Sequence, residues 1–142
     1  MKFEFSAGGV VYKETLDGIQ ILVAQHSQHH GWVFPKGLIG DKDSKESKEE
    51  AAVREVKEET GIEATIVQPL SPETYWFVWE GEKVKKTVYY FTMEYMGGDI
   101  TKHDFEMENV EWVPFDEVEK RLTYISDKKV WQEAKSIIEK MV

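Results

Sequence analysis

The sequence has no cysteine, and this absence excludes several kinds of chemistry. A chain without thiols cannot form a disulfide, a thiolate metal site or a cysteine nucleophile. No apolar run approaches the roughly 20 residues of a membrane-spanning helix, and the first residues, MKFEFSAGG, lack the hydrophobic core of a signal peptide. We therefore expect a cytoplasmic protein with no membrane partner.

Positive charge is scarce in this chain. It has 18 lysine and arginine residues against 27 aspartate and glutamate residues, which gives a formal net charge of −9. Non-specific binding to duplex DNA or to an anionic membrane needs a basic surface, so this balance argues against both partners. A nucleotide ligand remains compatible with it, because bound cations would invert the local potential.

Linkers are also missing, since the chain has only four prolines and no repeat or low-complexity segment. A length of 142 residues suits one domain, and 41% hydrophobic residues are enough for a core. We expect a single domain over residues 1–142, as a monomer or a homodimer.

The segment 37–62 is the most informative part of the chain, because it combines a predicted helix with a crowded acidic face. Ser47 followed by Glu50 resembles a capping box, and Gly61 stands where a helix of this kind ends. The pattern predicts a helix that begins near Ser47 and runs to about Thr60.

Three glutamates of this helix share one face. At roughly 100° per residue, Glu55, Glu58 and Glu59 fall within about 100° of arc. Carboxylates this close repel one another, and a hard divalent cation such as Mg²⁺, Mn²⁺ or Ca²⁺ would remove the repulsion. The simpler alternative is a solvated amphipathic helix. The uneven placement of lysine, together with Arg54 four residues before Glu58, favours a metal site.

The spacing of the fixed residues matches a known motif. Gly40 is followed after five residues by Glu46, and after seven more by the run REVKEETGI at 54–62. This pattern resembles the Nudix box, and the resemblance to Nudix hydrolases covers nearly the whole chain. It implies an α/β (α+β) Nudix fold, an α/β/α sandwich with a central mixed β-sheet. It also implies cleavage of a nucleoside diphosphate linked to another group X.

The start of the box departs from the family pattern. Most members open the box at the glycine of a Pro-Lys-Gly turn, which here ends at Gly37, yet eight residues separate Gly37 from Glu46. We expect Gly37 rather than Gly40 to be the structural equivalent, with 41–45 in a polar loop lengthened by three residues. The carbonyl of this glycine often helps to bind the cation in the family, so Gly37 joins the predicted metal ligands.

The resemblance also assigns roles to the box residues. It implies that Glu55, Glu58 and Glu59 bind Mg²⁺ or Mn²⁺ and that Arg54 orients the carboxylates. Water activated at the metal then attacks phosphorus in line, and Glu106 or a box glutamate takes its proton. This makes Arg54, Glu58 and Glu106 the predicted catalytic residues.

A loop before the last predicted strand supplies the candidate general base. Nudix enzymes commonly place an acidic residue there, as a further metal ligand or as the base. Glu106 is preferred and Glu108 is the next choice, because Phe105–Glu106 precedes the EWVP segment at a spacing similar to that of family members. The simpler alternative for a lone loop glutamate is a solvated side chain.

Three of the four histidines lie in the segment HSQHH at 26–30. Histidine is a frequent metal ligand, so a metal cluster is one hypothesis for this loop. A solvated loop, or one imidazole in contact with substrate phosphates, is the more common outcome, and we expect no dedicated transition-metal site.

The remaining pattern predicts strands and two further helices. Strands are predicted at 3–12, 19–25, 64–70, 73–80, 84–95 and 109–113, a short strand and turn at 32–37, and helices at 114–122 and 127–141. The pair Gly8–Gly9 allows a β-bulge or a close backbone approach, and Gly97–Gly98 is predicted as a loop. The hairpin at 73–95 turns at 81–83 and is rich in aromatic residues, most of which we expect in the core.

Residues outside the box bear on the substrate. The order of motifs is similar to the branch of the family that hydrolyses dinucleoside polyphosphates, in which an aromatic residue of the Tyr75–Trp76 segment stacks on adenine. Lys36, Lys86 and Tyr89 are the predicted phosphate or base contacts. The favoured reaction converts diadenosine tetraphosphate to ATP and AMP. The alternatives are a nucleoside-triphosphate pyrophosphatase, an RNA 5′-pyrophosphohydrolase, or a module that senses nucleotides without cleaving them.

Overall fold

A computed structural model describes residues 1–40 and 43–142. Its strands, in chain order, are β1 (Lys2–Thr15), β2 (Gly18–His26), β3 (Trp32–Val33), β4 (Lys36–Leu38), β5 (Ile62–Pro69), β6 (Glu73–Trp79), β7 (Glu82–Gly98) and β8 (Met107–Pro114). Its helices are α1 (Lys48–Thr60), α2 (Val118–Arg121) and α3 (Ile125–Met141), with 3₁₀ turns at Ile100–Lys102 and Phe115–Glu117. None of the helices in this described part is long and apolar enough to cross a membrane.

The long strands β1 and β7 form the middle of one mixed sheet. They pair in parallel from Lys2 opposite Val84 to Tyr12 opposite Glu94, without a register shift. The main strand order is β3-β2-β1-β7-β5, and β4, β6 and β8 pair with β1, β7 and β2 respectively. The other pairs are antiparallel, so the sheet is mixed as predicted.

Helices cover both faces of this sheet. Alternating residues of β1 enter two separate cores, with Val11 in the core under α1 and Val10 in the core under α3. Helix α1 contributes Ala51, Ala52 and Val56 to the first core. Helix α3 contributes Val130, Trp131, Ala134 and Ile138 to the second core. This arrangement confirms the α/β/α sandwich.

The glycine pair of β1 allows close packing rather than a bulge. A Cβ atom at Gly8 would lie 2.1 Å from the carbonyl oxygen of Pro35, and one at Gly9 would lie 2.4 Å from Met93 Sδ. The ladder between β1 and β7 passes both glycines in unbroken register. Gly8 therefore lets the turn before Lys36 approach the centre of the sheet.

Helix α1 begins and ends as its sequence predicts. The Ser47 side chain accepts a hydrogen bond from the backbone N–H of Glu50, whose carboxylate accepts one from the N–H of Ser47. At the other end Gly61 adopts a φ of 79° and donates to the carbonyl of Lys57. The capping box and the left-handed glycine fix the helix in register with the sheet.

Two sequence predictions about local structure are wrong, and a third, the helix at 114–122, is confirmed only in part. The hairpin turns at Glu80–Gly81 instead of 81–83, because Trp79 pairs with Glu82 and both turn residues have positive φ, which suits the twist of a two-residue turn. Gly97 and Gly98 belong to β7 and pair with the start of β5, so they are not a loop. The segment 114–122 is a 3₁₀ turn followed by one short helix. Of the predicted 41–45 loop, residues 41 and 42 lie outside the described residues.

The aromatic residues of the hairpin are mostly outside the core, which also corrects the prediction. Tyr90 and Phe91 are buried, but Tyr75, Trp76 and Trp79 are exposed. The two cores reach β7 at residues 88–93, so the hairpin end of the sheet extends beyond the helices. Trp76 and Trp79 there are exposed despite their hydrophobicity, whereas Val84 is buried.

Candidate functional site

The acidic face of α1 lines a cleft of about 550 Å³. The sheet contributes Lys36 and Gly37 from β4 and Lys86 from β7. Two loops close the remaining sides through His26, His29, Asp104, Phe105 and Glu106. The cleft therefore gathers residues that are far apart in the sequence around Glu55, Glu58 and Glu59.

A glycine makes room for the first of these carboxylates. Gly37 pairs with Ala7 of β1, and a Cβ atom added to it would lie 2.1 Å from Glu55 Oε2. Gly40 has a φ of 79°, its nearest neighbour would be 3.7 Å from such a Cβ, and its N–H donates to Glu46 at 3.1 Å. Gly37 thus occupies the position against the acidic face that we expected for the box glycine.

One arginine holds three glutamates in place. Arg54 Nε donates to Glu46 Oε2 at 2.6 Å, and Nη2 donates to Glu46 Oε1 at 2.9 Å. Its Nη1 donates to Glu55 Oε1 at 2.8 Å and to Glu58 Oε2 at 2.9 Å. The bond to Glu46 is the main reason that the pKa of Arg54 is raised and that of Glu46 is lowered. Arg54 thus contacts two of the three predicted metal ligands, and its role in orienting them stays a prediction.

The third carboxylate is the most deeply buried. Glu59 is only 4% exposed, and its Oε1 accepts a hydrogen bond from the backbone N–H of Lys36 at 3.2 Å. Burial raises the pKa of Glu59 well above its ordinary value, Lys36 opposes this rise, and the nearby charges of Glu55 and Glu106 add to it. An ionised Glu59 therefore costs free energy in this fold unless a positive charge compensates it.

The donor set suits a hard divalent cation. Glu55, Glu58 and Glu59 offer carboxylate oxygens, the ligands that Mg²⁺ and Mn²⁺ prefer, and two of the three are buried at the cleft. Across residues 1–40 and 43–142 no three acidic or histidine side chains already meet at one point. Arg54 Nη1 engages one oxygen of Glu55 and one of Glu58, so a cation would compete with this arginine.

Two lysines bring positive charge to the same cleft. Lys36 and Lys86 both line it, and Lys86 is partly buried. Burial lowers the pKa of Lys86, and the charge of Lys36 lowers it further. Amines close enough to repel each other are well placed to meet a group that carries several negative charges.

The loop that holds Glu106 is tied to the helix and to the histidine loop. The N–H of Asp104 donates to the carbonyl of Glu58 at 3.1 Å, and the carbonyl of Glu106 accepts from the N–H of Ser27 at 2.9 Å. Glu106 lines the cleft, whereas Glu108 binds His30 Nδ1 at 2.5 Å instead. The structure brings Glu106, the preferred residue, and not Glu108 to the acidic site.

A second cavity of about 260 Å³ adjoins the cleft and shares Lys36 and His29 with it. Tyr75 lines this cavity beside Tyr90, Tyr124 and Asp127. Asp127 is buried, which raises its pKa to about 6, and its Oδ1 accepts from the N–H of Phe34 at 3.4 Å. The cavity combines aromatic walls with a buried acceptor.

The histidine loop takes part in both cavities. His29 Nδ1 accepts from the N–H of Gly31 at 3.0 Å and lies 2.8 Å from the hydroxyl of Tyr124. Because Nδ1 is an acceptor, the ring is neutral with its proton on Nε2. Burial and the neighbouring His26 both lower the pKa of His29, which favours this neutral form.

Two predicted contacts lie elsewhere. Trp76 follows Tyr75 on β6, and its side chain points to the opposite face of the sheet, away from both cavities. Tyr89 packs beneath the start of α1, with Lys48 Nζ 5.3 Å from its ring centre. Tyr75 and Trp76 therefore cannot both contact one base, and Tyr89 packs between the sheet and α1 instead of lining the cleft.

Sequence reasoning missed His29, Tyr124 and Asp127 as residues of these cavities. His29 could have been singled out, since one imidazole of its loop was already a candidate phosphate contact. Asp127 stands at the start of an apolar helix, where a carboxylate is most simply explained as a helix-terminal charge. Tyr124 gave no sequence signal, because only the fold brings it to His29.

Comparisons with known proteins agree with this geometry. The family model described as NUDIX domain matches residues 2–139. MutT4 of Mycobacterium tuberculosis is 35% identical over an alignment that covers 97% of this chain and 57% of that protein. An 8-oxo-(d)GTP phosphatase of Mycolicibacterium smegmatis is 31% identical, covering 79% of this chain and 32% of that protein. The chain thus spans about a third to just over half of these relatives.

A solved structure shares the fold over both whole chains. The crystal structure of Ap4A hydrolase from C. elegans aligns with a TM-score of 0.69 at 24% identity, covering 97% of this chain and 99% of that chain. At this identity the likeness establishes the architecture alone. Since the family model covers nearly every residue of the sheet, the cleft and the helices, the chain belongs to the NUDIX domain family.

Proposed function

We propose that this chain hydrolyses a phosphoanhydride bond in a nucleoside diphosphate-linked substrate, with Mg²⁺ or Mn²⁺ as cofactor. One observation carries the proposal: the buried carboxylates Glu55 and Glu59 share a cleft with the amines Lys36 and Lys86. Acidic residues alone would repel a phosphate, and lysines alone would only bind it. Together they suit a substrate whose phosphates reach the protein through cations on one side and amines on the other.

The proposal assigns a role to the box residues and to the two lysines of the cleft. Glu55, Glu58 and Glu59 would hold the cation, which would supply positive charge for the phosphates and make a water molecule more acidic. Arg54 is a positioning residue, because its bonds fix the direction of two of those carboxylates. Lys36 and Lys86 bind the phosphates from the opposite wall, and Gly37 leaves the space that Glu55 needs.

Glu106 is proposed as the general base. It lines the cleft on a loop fixed to α1 and to the histidine loop, so its carboxylate faces the acidic site from another element. In this role it takes a proton from the water that attacks phosphorus, while the phosphoanhydride P–O bond breaks and the leaving nucleotide or pyrophosphate departs on the opposite side. A water molecule is consumed for each bond cleaved, and no covalent intermediate with the protein is required.

Diadenosine tetraphosphate is the favoured substrate, with ATP and AMP as products. The motif order of the chain and the cavity that holds Tyr75 support it, because that cavity adjoins the phosphate cleft and can hold a flat base against an aromatic ring. A cytoplasmic location, where this nucleotide and its products are soluble, and a monomer or homodimer complete the proposal.

A nucleoside-triphosphate pyrophosphatase is the second candidate. One aromatic cavity, lined by Tyr75, adjoins the cleft, whereas Trp76 points away from it, and a single base site suits a mononucleotide. The similarity to an 8-oxo-(d)GTP phosphatase also favours it. Both candidates use the same acidic site and differ in the phosphorus atom that water attacks.

A substrate panel tests the proposal. The protein is incubated with Mg²⁺ and diadenosine tetraphosphate, nucleoside triphosphates, 5′-triphosphate RNA or ADP-ribose, and the products are separated by chromatography. We expect ATP and AMP from the dinucleotide, loss of turnover in chelator, and loss in Glu58→Gln. Glu49→Gln is the matched control, because Glu49 is exposed on the same helix and outside the cleft.

The products distinguish the hypotheses. Pyrophosphate released from a nucleoside triphosphate or from RNA would keep the acidic site and replace the favoured substrate. Tight nucleotide binding without any product would indicate a sensor and contradict hydrolysis. Turnover by Glu58→Gln at the rate of Glu49→Gln would contradict the metal assignment.

A further inference from the structure

No element within residues 1–40 and 43–142 packs on one side of the sheet where the β6–β7 hairpin joins the start of β1. Six side chains share this side and define an aromatic–lysine face: Phe3, Phe5, Trp76, Val78, Lys83 and Lys85. Their common side follows from register, because Lys85 pairs with Phe3 on one flank and with Trp76 on the other, and Val78 pairs with Lys83.

This face exposes large aromatic rings to solvent. Phe3, Phe5 and Trp76 are 54%, 47% and 48% exposed. Single exposed hydrophobic residues are ordinary, but a group of them on adjacent strands is typical of a binding surface. Rings on β1 and β6 are separated by β7, so they lie about 10 Å apart, with lysine between them.

The charge of the face is opposite to that of the whole chain. Lys83 Nζ lies 4.7 Å and Lys85 Nζ 5.6 Å from the centre of the Trp76 ring. The nearest acidic residues of these strands, Glu4 and Glu82, alternate to the other side of the sheet. In a chain with a net charge of −9, this is a local cationic surface built around an indole.

We propose that the aromatic–lysine face binds single-stranded nucleic acid. Unpaired bases stack on exposed aromatic rings, and lysines beside the rings meet the backbone phosphates. A second copy of the chain fits less well, because a two-fold contact through this face would set its lysines against the same lysines of the partner. The face lies outside both cavities, so this binding does not depend on the hydrolysis proposed above.

Fluorescence anisotropy tests this proposal with labelled RNA and DNA strands about 12 nucleotides long. The strands carry 5′-hydroxyl ends and the buffer contains chelator, so neither 5′ phosphates nor cations engage the cleft. We expect binding to weaken about five- to a hundredfold in Trp76→Ala, since one stacking platform is lost. Two phosphate contacts predict a slope of about −1.4 for log affinity against log salt.

The control lies on the same hairpin. Trp79 is 64% exposed but faces the other side of the sheet, so Trp79→Ala should bind like the original chain. Trp76→Phe keeps an aromatic ring and should restore most of the affinity, which separates stacking from a folding defect. Lys85→Glu should weaken binding and flatten the salt dependence.

Several outcomes would overturn the proposal. No binding of either strand at the highest protein concentration would do so, as would equal losses in Trp76→Ala and Trp79→Ala. Sedimentation that shows a dimer dissociated by Trp76→Ala would assign the face to a second copy instead. Binding of either strand that Trp76→Ala weakens supports the proposal, and the ratio of the RNA and DNA affinities shows whether one strand is preferred.

Discussion

Helix α1 buries charged residues, whereas the β6–β7 hairpin exposes aromatic ones, which is the opposite of the usual distribution. Glu55 and Glu59 of the helix are 6% and 4% exposed, whereas Trp76 and Trp79 of the hairpin are about half exposed or more. The helix lies on the sheet and faces a cleft, so its carboxylates are covered by other elements. The end of the hairpin extends past both helices, so Trp76 and Trp79 are left in solvent.

A ligand would stabilise each of these two regions for a different reason. The ionised form of Glu59 is costly because burial raises its pKa, and exposed aromatic rings retain unfavourable contact with water. A cation would relieve the first region, and a stacked base would relieve the second. In both regions the residues are placed for a ligand at some cost to the unliganded fold.

Arg54 should give the largest effect on stability. Arg54→Ala removes the guanidinium that binds Glu46, Glu55 and Glu58, and we expect a loss of about 3 kcal/mol in the free energy of unfolding. Lys57→Ala on the same helix breaks an exposed pair with Glu63 and should cost at most about 0.5 kcal/mol. Denaturant unfolding measures both, and equal losses would show that the arginine network is not buried enough to matter.

Alanine substitutions at the two glycines of the box region, Gly37 and Gly40, should have different effects. Gly37→Ala places a Cβ against the Glu55 carboxylate, and we expect turnover to fall about tenfold or more. Gly40→Ala meets no close neighbour but has an unfavourable φ, so it should cost about 1 kcal/mol of stability with turnover nearly unchanged. Steady-state kinetics measures the turnover of the two variants, and melting curves measure their stability. The reverse result would make Gly40 the functional start of the box.

Alanine substitutions at two neighbouring residues of β6, Tyr75 and Trp76, should differ in their effect on substrate affinity. Tyr75→Ala removes an aromatic wall of the second cavity, and we expect KM to rise about tenfold with kcat less affected. Trp76→Ala changes the opposite face and should leave KM unchanged. Steady-state kinetics on the substrate with the highest turnover provides the comparison. A rise in KM for Trp76→Ala alone would place the base on the other side of the sheet.

The helix was predictable because its geometry is local. A period of about 3.6 residues sets which glutamates share a face, and Ser47, Glu50 and Gly61 set its ends. The resemblance to the Nudix box then supplied the fold, which the sheet and helices confirm. Gly37 was expected as the box glycine for the same reason, and its contact with Glu55 agrees.

The hairpin was not predictable in the same way. Alternation along a strand puts Tyr75 and Trp76 on opposite faces of the sheet. Whether a helix packs on either face depends on segments that are distant in the sequence. The second cavity is harder still, since Tyr75, Tyr124 and Asp127 meet only after β6 and α3 have packed. The exposure of the hairpin side chains and the residues of the second cavity therefore depend on long-range packing, which the local sequence pattern does not determine.

Thermal melting of the metal-free and Mg²⁺-loaded protein at about pH 8 tests the central claim most directly. Because the pKa of Glu59 is raised in the fold, the unfolded chain ionises first as pH rises, and stability falls above the ordinary range of a glutamate. Metal-free Glu59→Gln should therefore melt above the original chain. Glu49→Gln, an exposed change on the same helix, should not.

Mg²⁺ completes the test. The account predicts that it raises the melting temperature of the original chain and of Glu49→Gln, but has little effect on Glu59→Gln, because a ligand is lost. Equal stabilisation of all three proteins would contradict a cation site on the acidic face of α1. So would a metal-free Glu59→Gln that melts below the original chain, since the buried carboxylate would then be compensated without a cation.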